Sequence, residues 1–328
     1  MKVTVVGLGA VGGLIAARLA RTGSAVHALA RGSVLAAVRT RGLGLDMDGT
    51  TQWARIHASD DARDFGPQDL VIVALKSQHL APSLAAIAPL LGPQTVVMPA
   101  MNGVPWWFML PPSAGSALQD RRLRSVDPLG QIEAAWPVAQ VLGCVVHLTC
   151  ASPEPGLVRH GFGQRLIVGE PAGGESERAR QVCGLLAGAG FQAELSADVR
   201  MDIWYKLWGN MTMNPVSALT GATSDRILDD PLVRSFMVRA MTEAAQIGAR
   251  IGCPITQSGD ERLEVARPLG AFRTSMLQDV QAGRGIELDA LVTVVHEIGT
   301  QLQVPMPSID ALLGLTRLMA RQQGLYPT

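Results

Sequence analysis

The stretch "VTVVGLGAVGGLIAARLARTG" (residues 3–23) places Gly7, Gly9 and Gly12 between an apolar β-like run and an alanine-rich helical run. Glycines in this strand–G-x-G-x-x-G–helix pattern permit a tight turn, and the helix N-terminus offers free N–H groups and a positive dipole end to phosphate groups. The motif alone is a weak signal, but here it follows an apolar strand and opens a helix that ends at Gly23. The stretch therefore predicts a dinucleotide-binding loop, formed by Gly7, Leu8, Gly9, Ala10, Val11 and Gly12.

The alternation of strand-like and helix-like segments continues through the first two-thirds of the chain. Apolar runs rich in β-branched residues lie at 2–6, 25–29, 70–75, 95–100 and 144–149. Alanine-rich or amphipathic stretches separate the early runs, which is typical of a doubly wound, mainly parallel sheet with helices on both faces. Two further short strands are predicted around a glycine turn within 157–170.

Strand signals nearly vanish after residue 198, and helical periodicity replaces them. Long helices are predicted at 231–252 and 286–303. The 328 residues therefore predict an α/β Rossmann-like domain at 1–198 and an all-α domain at 199–328. The irregular stretch 104–136 is interpreted as an insertion in the first domain.

Composition narrows the class of protein. The formal net charge is zero, without the basic excess of nucleic-acid-binding proteins, and no apolar run is long enough to predict a membrane span. The four cysteines form no C-x-x-C pair and no secretory signal is evident, which favours reduced thiols and a cytoplasmic location. The histidines form no ligand pattern, so no metal is expected. A homodimer, paired through the apolar helix at 286–303, is left open.

The type of dinucleotide is inferred from a missing acid. NAD sites usually place an acidic residue about 20 residues after the glycine loop, whereas the first acidic residue here is Asp46. At the end of the second strand the chain instead reads "ALARGS", where the Arg31 guanidinium could bind a 2′-phosphate. We therefore expect NADP(H) rather than NAD(H). The alternative is that Arg31 is a solvated loop residue.

Polar side chains also follow two later strands. Lys76 ends "LVIVALK", and Asn102 ends "VVMPAMN". Because ligands bind at the carboxyl ends of the strands in doubly wound sheets, we expect both residues to contact the nicotinamide ribose or carboxamide. The alternative is that they only cap loops.

The stretch "DIWYKLWGNMTMNP" (202–215) predicts a helix with one apolar side and a polar stripe beside it. Lys206, Asn210 and Asn214 follow one another at intervals of four residues. Pro215 is expected to kink or end the helix. The alternative for the stripe is an ordinary solvated face.

Lysine at position 206 has a chemical reason. The chain has 25 arginines and only three lysines, Lys2, Lys76 and Lys206. Reduction of a ketone requires a proton donor, and arginine is unsuitable because its pKa lies above about 12. A lysine pKa, near 10.4 in water, can be lowered by burial or nearby charge into a useful range. Lys206 is therefore a candidate general acid.

A second group of polar residues lies in "RTSMLQDVQAGRGIELDAL" (273–291). Ser275 begins a predicted helix, the segment "AGRG" breaks it, and Glu287 is expected in the first turn of the next helix. For Glu287 the alternative is favourable interaction with the helix dipole alone.

Together these motifs resemble the ketopantoate reductase (2-dehydropantoate 2-reductase) family over most of the chain. The resemblance is strongest in "GLGAVGG", "MNG", "WYKLWGNMTMNPVSALTG" and "TSMLQDVQAGRGIELD". It implies NADPH-dependent reduction of 2-dehydropantoate to (R)-pantoate, with Lys206 as general acid and Glu287 supporting the lysine and the substrate. It also implies that Asn210, Asn214 and Ser275 bind substrate, and that Arg31, Lys76 and Asn102 contact the cofactor.

The stretch 104–136 is longer than the resemblance predicts, and it opens with "VPWWF". Trp106 and Trp107 could line the substrate pocket, which would favour a bulkier 2-oxo acid, or they could be buried against the insertion. Two alternatives to ketopantoate reduction follow. One is a reductase of another branched or aromatic 2-oxo acid, and the other is a non-catalytic NADP(H)-sensing module.

Overall fold

A computed structural model describes residues 1–111 and 116–327. Its strands are β1 Val3–Val6, β2 Val26–Leu29, β3 Leu43–Met47, β4 Thr50–Ala54, β5 His57–Ser59, β6 Leu70–Val73, β7 Val96–Pro99, β8 Gly143–His147, β9 Cys150–Glu154, β10 Leu157–His160, β11 Arg165–Gly169 and β12 Gln192–Ser196.

The α-helices are α1 Ala10–Arg21, α2 Gly32–Arg41, α3 Leu80–Ile87, α4 Gln131–Ala135, α5 Glu177–Gly188, α6 Val199–Thr220, α7 Ser224–Asp229, α8 Pro231–Arg250, α9 Gly259–Ala266, α10 Ser275–Gln281, α11 Val294–Gln301 and α12 Pro307–Gln322. Short 3₁₀ segments lie at Ala62–Asp64, Ser77–His79, Ala88–Leu90, Val138–Gln140 and Arg267–Leu269, and a π-helical turn covers Asp289–Thr293.

The chain divides into two compact units. We call Met1–Met101 with Gln131–Asp202 the Rossmann-like unit, and Asn102–Gly130 with Ile203–Thr328 the helical unit. The division differs from the predicted insertion at 104–136, because residues 102–130 belong with the helices. Residues 112–115 of that insertion lie outside the described residues. The predicted domain limits at 198 and 199 stay a prediction.

The Rossmann-like unit is built on a five-stranded parallel sheet in the order β5-β2-β1-β6-β7. Its central strands are fully buried, as expected of a parallel sheet covered on both faces. The prediction of a doubly wound, mainly parallel sheet followed by an all-helical part is confirmed. Each strand predicted at 2–6, 25–29, 70–75, 95–100 and 144–149 is present, with bounds that differ by one or two residues.

A second sheet, ordered β4-β3-β10-β9, packs against the other side of α1. Gly13 permits this approach, since a Cβ at that position would lie 2.5 Å from Val158 Cγ2 on β10. The two strands predicted within 157–170 are present as β10 and β11, although they do not pair with each other. β10 pairs with β3 and β9, whereas β11 pairs with β8 and β12.

Helix α6 carries the apolar side predicted for it. Trp204, Leu207, Trp208 and Met211 are all at most 2% exposed. Of the two outcomes predicted for Pro215, a kink or a helix end, the structure excludes the second, because α6 continues through it to Thr220. Proline already has a helical φ and removes one hydrogen bond, a local cost that burial of the flanking turns offsets.

Candidate active site

The glycine loop connects β1 to α1 at the carboxyl end of the parallel sheet. Gly7 has a φ of +87°, which is favourable only for glycine, and its N–H donates to Leu29 O at the end of β2 (3.0 Å). A Cβ on Gly12 would overlap Gly7 O and lie 2.8 Å from Ala74 Cβ. The spacing of the motif is thus required by the packing of the turn itself.

The geometry of this loop fits a dinucleotide. A Cβ on Gly9 would meet no atom within 4 Å, so the space beside this backbone is open to a ligand. The first turn of α1 contains no acidic residue, and no side chain caps it, which leaves its N–H groups and dipole for a pyrophosphate. β1 also has β2 on one side and β6 on the other, the switch point at which doubly wound sheets bind ligands.

Three cationic or titratable side chains follow β2 and β6. Arg31 is exposed, caps α2 with extended backbone, and makes no side-chain hydrogen bond within the described residues. Lys76 precedes the 3₁₀ turn Ser77–His79. Partial burial and the positive charges of Lys76 and Arg31 lower the pKa of His79 below its ordinary value. The three side chains therefore share one electropositive region, and His79 was missed from the sequence.

The predicted general acid has a defined partner in the helical unit. Lys206 Nζ donates a hydrogen bond of 2.7 Å to Asn102 Oδ1. Lys206 is half-buried on the accessible face of α6, opposite the buried tryptophans. The residue predicted to contact the cofactor thus lies directly against the predicted proton donor.

Asn102 is held in place by the turn that follows it. Gly103 has a φ of +83°, and a Cβ there would overlap Ala290 O, so no other residue fits without a shift. Val104 N–H donates to the same Ala290 carbonyl at 2.8 Å. Ala290 lies in the π-helical turn Asp289–Thr293, a feature that often occurs at functional sites.

Glu287 immediately precedes this helical segment. The prediction that it lies within the first helical turn is therefore wrong, since the backbone is irregular through Glu287. The "GRG" sequence extends the break between α10 and the π-helical turn by a few residues. Gly103 nevertheless contacts Ala290, which follows Glu287 by three residues.

The predicted substrate-binding residues extend along α6 from this point. The side chains of Asn210 and Asn214 make no hydrogen bond to any other described residue; Asn210 is half-buried, whereas Asn214 is only 5% exposed. The N-cap of α10, Thr274, bonds to Ser217 of α6 (Oγ1 to Oγ, 2.5 Å). That bond places the neighbouring Ser275, which is exposed, at the far end of the same stripe.

The predicted site residues thus form two groups. The glycine loop, Arg31 and Lys76 lie together in the Rossmann-like unit. The other group lies in the helical unit and comprises Asn102, Lys206, Asn210, Asn214, Ser275 and Glu287.

Trp106 and Trp107 are each 1% exposed. The ring of Trp107 lies 6.4 Å from that of Phe108, which in turn lies 6.0 Å from Trp204 on α6. These aromatic residues pack within the helical unit. Burial is the second of the two alternatives left open by the sequence.

Residues 1–111 and 116–327 contain neither a metal-ligand cluster nor a membrane-spanning helix. They contain no cluster of three or more His, Cys, Asp or Glu side chains arranged to hold a metal ion. None of their helices is both long enough and apolar enough to cross a membrane.

A glycine loop at a switch point and a lysine held by an amide define a dinucleotide-dependent oxidoreductase. Comparison with known proteins gives the family. Residues 3–108 match the family model "Ketopantoate reductase PanE/ApbA", and residues 198–320 match "Ketopantoate reductase PanE/ApbA C terminal". The chain belongs to the ketopantoate reductase family.

Individual relatives cover the whole chain. A 2-dehydropantoate 2-reductase from Mesorhizobium japonicum (strain LMG 29417 / CECT 9101 / MAFF 303099) is 42% identical over 327 residues, which are 99% of this chain and 100% of the relative. A crystallised ketopantoate reductase candidate from Ralstonia solanacearum MolK2 is 57% identical, with a TM-score of 0.95 over 99% of both chains. D-mandelate dehydrogenase with NADH and anilino(oxo)acetate shares only the fold, at 18% identity and a TM-score of 0.85 over 99% of this chain and 100% of that one.

Proposed function

We propose that this protein catalyses the NADPH-dependent reduction of 2-dehydropantoate to (R)-pantoate. The observation that carries the proposal is the 2.7 Å hydrogen bond from Lys206 Nζ to Asn102 Oδ1, on the helix face that also presents Asn210. Membership of the ketopantoate reductase family and the 42% identical 2-dehydropantoate 2-reductase support the choice of substrate.

The reaction adds a hydride to the keto carbon and a proton to its oxygen. NADPH supplies the hydride when bound. Lys206 donates the proton from Nζ to the developing alkoxide, because an ammonium is both a strong hydrogen-bond donor and a usable acid. Asn102 aims that ammonium by accepting one of its hydrogens, which leaves the others for the substrate oxygen.

The remaining polar side chains of the helical unit position the substrate. Asn210 and Asn214 offer amide donors and acceptors along the stripe that begins at Lys206. Ser275 offers a hydroxyl to the substrate carboxylate. Glu287 contacts substrate and favours the protonated form of Lys206 by its negative charge.

The chain's own residues also account for the choice of NADP(H). The loop Gly7, Leu8, Gly9, Ala10, Val11 and Gly12 holds the pyrophosphate through backbone N–H groups. Arg31, whose side chain is not engaged by any other described residue, binds the 2′-phosphate beside Lys76. Asn102 contacts the nicotinamide end of the cofactor, in addition to accepting the hydrogen bond from Lys206.

Lysine substitutions test this assignment. In Lys206→Ala and Lys206→Arg, kcat should fall by about 10²- to 10⁴-fold, the range of a lost general acid, whereas the Kd for NADPH should stay within a few-fold of wild type. The arginine variant would keep the charge without an available proton. Lys2→Ala, at an exposed surface lysine, is the matched control and should retain wild-type kcat. Retention of substantial turnover by Lys206→Arg would contradict the role of Lys206.

Substrate profiling tests the reaction itself. 2-Dehydropantoate should have the highest kcat/KM in NADPH consumption, well above that of 2-oxoisovalerate or phenylpyruvate. A higher kcat/KM for 2-oxoisovalerate or phenylpyruvate would indicate a reductase of another 2-oxo acid. The names of the relatives do not favour that alternative. Absence of turnover with all three would favour the NADP(H)-sensing module.

We also propose a homodimer in the cytoplasm. The predicted pairing helix at 286–303 is unsuitable, because Val294, Val295 and Ile298 are buried within the helical unit. On α12, Leu315 and Leu318 are instead about 60% exposed and three residues apart, which supports that helix as the pairing face. None of the four cysteines is in a disulfide, which supports a reducing compartment. Light scattering after size-exclusion chromatography, with Leu315→Glu as the variant, tests the dimer.

A further inference from the structure

Arg262, on the accessible side of α6, is a cation without a counterion. It lies on α9, and no side-chain hydrogen bond or ion pair to it exists among the described residues. Its Nε is buried without an acceptor, and burial lowers the pKa of the guanidinium. A partly buried charge that is neither paired nor hydrogen-bonded is costly, so its retention requires a reason.

Neighbouring arginines, unlike Arg262, have acidic partners. Arg234 pairs with both Asp260 and Glu264, and Arg267 pairs with Glu264 and Asp229. Glu261 is engaged by Ser258 in the capping box of α9. The acidic side chains of α9 thus bond to residues other than Arg262. Arg262 lies on a different face of α9 from these acids.

The position of the guanidinium is fixed by two residues of α6. Its Cζ lies 5.2 Å from the centre of the Tyr205 ring, a cation–π contact. A Cβ on Gly209 would lie 2.8 Å from Arg262 Nη2, so the guanidinium lies close against the helix backbone at this glycine. Glycine is unfavourable inside a helix by about 1 kcal/mol relative to alanine, and here it admits the guanidinium against the helix backbone.

This location is beside the proposed catalytic stripe. Tyr205, Lys206, Gly209 and Asn210 are the accessible residues of this part of α6, whereas Leu207 and its neighbours are buried. At 100° per residue, Gly209 lies about 60° from Lys206 on one side, and Asn210 about 40° on the other. The guanidinium therefore borders the stripe that Lys206 and Asn210 form.

We propose that Arg262 is a substrate-specificity residue that binds the carboxylate of the 2-oxo acid through its Nη atoms. The inference rests on the proposed function, and it adds a charged group to the uncharged contacts assigned to Asn210, Asn214 and Ser275. A planar guanidinium fits a carboxylate through two parallel hydrogen bonds. The bound anion supplies the counterion that residues 1–111 and 116–327 do not provide.

The test compares an anionic ligand with a neutral one of the same carbon skeleton. Calorimetry on the NADP⁺-loaded protein measures Kd for (R)-pantoate and for its neutral lactone. Arg262→Met keeps a long apolar stem against Tyr205 and removes the charge. In this variant the Kd of pantoate should rise about ten- to a hundredfold, the effect of losing a charge-assisted hydrogen bond, whereas the Kd of the lactone should stay within about twofold.

Two controls make the result specific. Arg239→Met removes a charge from α8, where the arginine donates to Ser235 Oγ and to no other side chain of the described residues, and it should leave both Kd values unchanged. The Kd for NADPH should also be unchanged in Arg262→Met. In steady-state assays the variant should show a raised KM for 2-dehydropantoate with a smaller change in kcat, since the carboxylate does not react.

An unchanged pantoate Kd in Arg262→Met would overturn the proposal, and an equal rise for pantoate and lactone would assign Arg262 a packing role instead. If Arg262→Met does not fold by circular dichroism, Arg262→Gln decides by the same two criteria, because glutamine keeps a polar head and also removes the charge. Wild-type turnover is measured separately. Its absence would refute the proposed reaction, whereas the two Kd values would still report whether Arg262 recognises a carboxylate.

Discussion

Replacement of Trp107 determines whether the "WW" pair shapes substrate choice or only stabilises the helical unit. The side chain is 1% exposed and packs beside Phe108, whose ring lies 6.0 Å from that of Trp204. Its Nε1 is buried without an acceptor among the described residues. The ring therefore contributes apolar burial, and its N–H contributes no hydrogen bond to another described residue.

The magnitude follows from that burial. A buried tryptophan removes about 150–250 Å² from water, which at about 25 cal/mol per Å² corresponds to about 4–6 kcal/mol. Trp107→Ala should thus lower the free energy of unfolding by about 3–5 kcal/mol, the range measured for such truncations. Trp107→Phe keeps most of the ring and leaves no polar group unpaired, so the loss should be about 1–2 kcal/mol.

Urea unfolding followed by far-UV circular dichroism measures these losses. Trp53→Phe is the control, because Trp53 is 45% exposed on β4 and should change the free energy of unfolding by less than about 1 kcal/mol. In folded Trp107→Phe, the ratio of kcat/KM for 2-dehydropantoate to that for phenylpyruvate should equal the wild-type ratio. Wild-type stability together with an altered ratio would refute the assignment and return Trp107 to the pocket.

Three other outcomes are expected. Gly9→Ala should fold with wild-type Tm but lose NADPH affinity, since its Cβ enters open space in the loop. Gly12→Ala should lower both NADPH affinity and Tm, because its Cβ overlaps Gly7 O. Equal Tm values for the two variants would contradict this difference in packing. Arg31→Ala should reduce the preference for NADPH over NADH by about ten- to a hundredfold, and an unchanged ratio of Kd values would count against a 2′-phosphate contact. Burial lowers the pKa of His27 from 6.5, so the unfolded chain binds the proton more readily and stability should fall as pH drops below about 6.5. The loss of Tm between pH 7.5 and 5.5 should be smaller in His27→Gln, and an equal loss would exclude His27 as its source.

Patterns that are local in sequence predicted much of this protein. The glycine loop required one strand, one turn and one helix, and the stripe of Lys206, Asn210 and Asn214 required only helical periodicity. Both depend on residues within a few turns of one another. The alternation of strands and helices likewise needed no long-range contact to predict a doubly wound sheet.

Features that depend on distant residues were not predictable in this way. β3 pairs with β10, more than a hundred residues later in the chain, so its sheet could not be read from either segment alone. His79 and Arg262 carry ordinary local signals. His79 becomes notable through the positive charges of Lys76 and Arg31, and Arg262 through the lack of an acceptor for its buried Nε among the described residues. One signal was available for Arg262: a glycine between Trp208 and Asn210 indicates close approach of another group to a helix.

The assignment of Asn102 changes most when the structure is considered. From the sequence it is a residue at the end of a strand, and such residues contact the cofactor in doubly wound sheets. In the structure its amide oxygen accepts from Lys206, and Gly103 and Val104 fix it against Ala290. Because all these residues belong to the helical unit, the proposed proton donor is oriented by contacts inside one unit. The roles that we propose for Asn102 would join cofactor contact and proton transfer in a single side chain, and the glycine that follows it is required because only glycine fits against the carbonyl of Ala290.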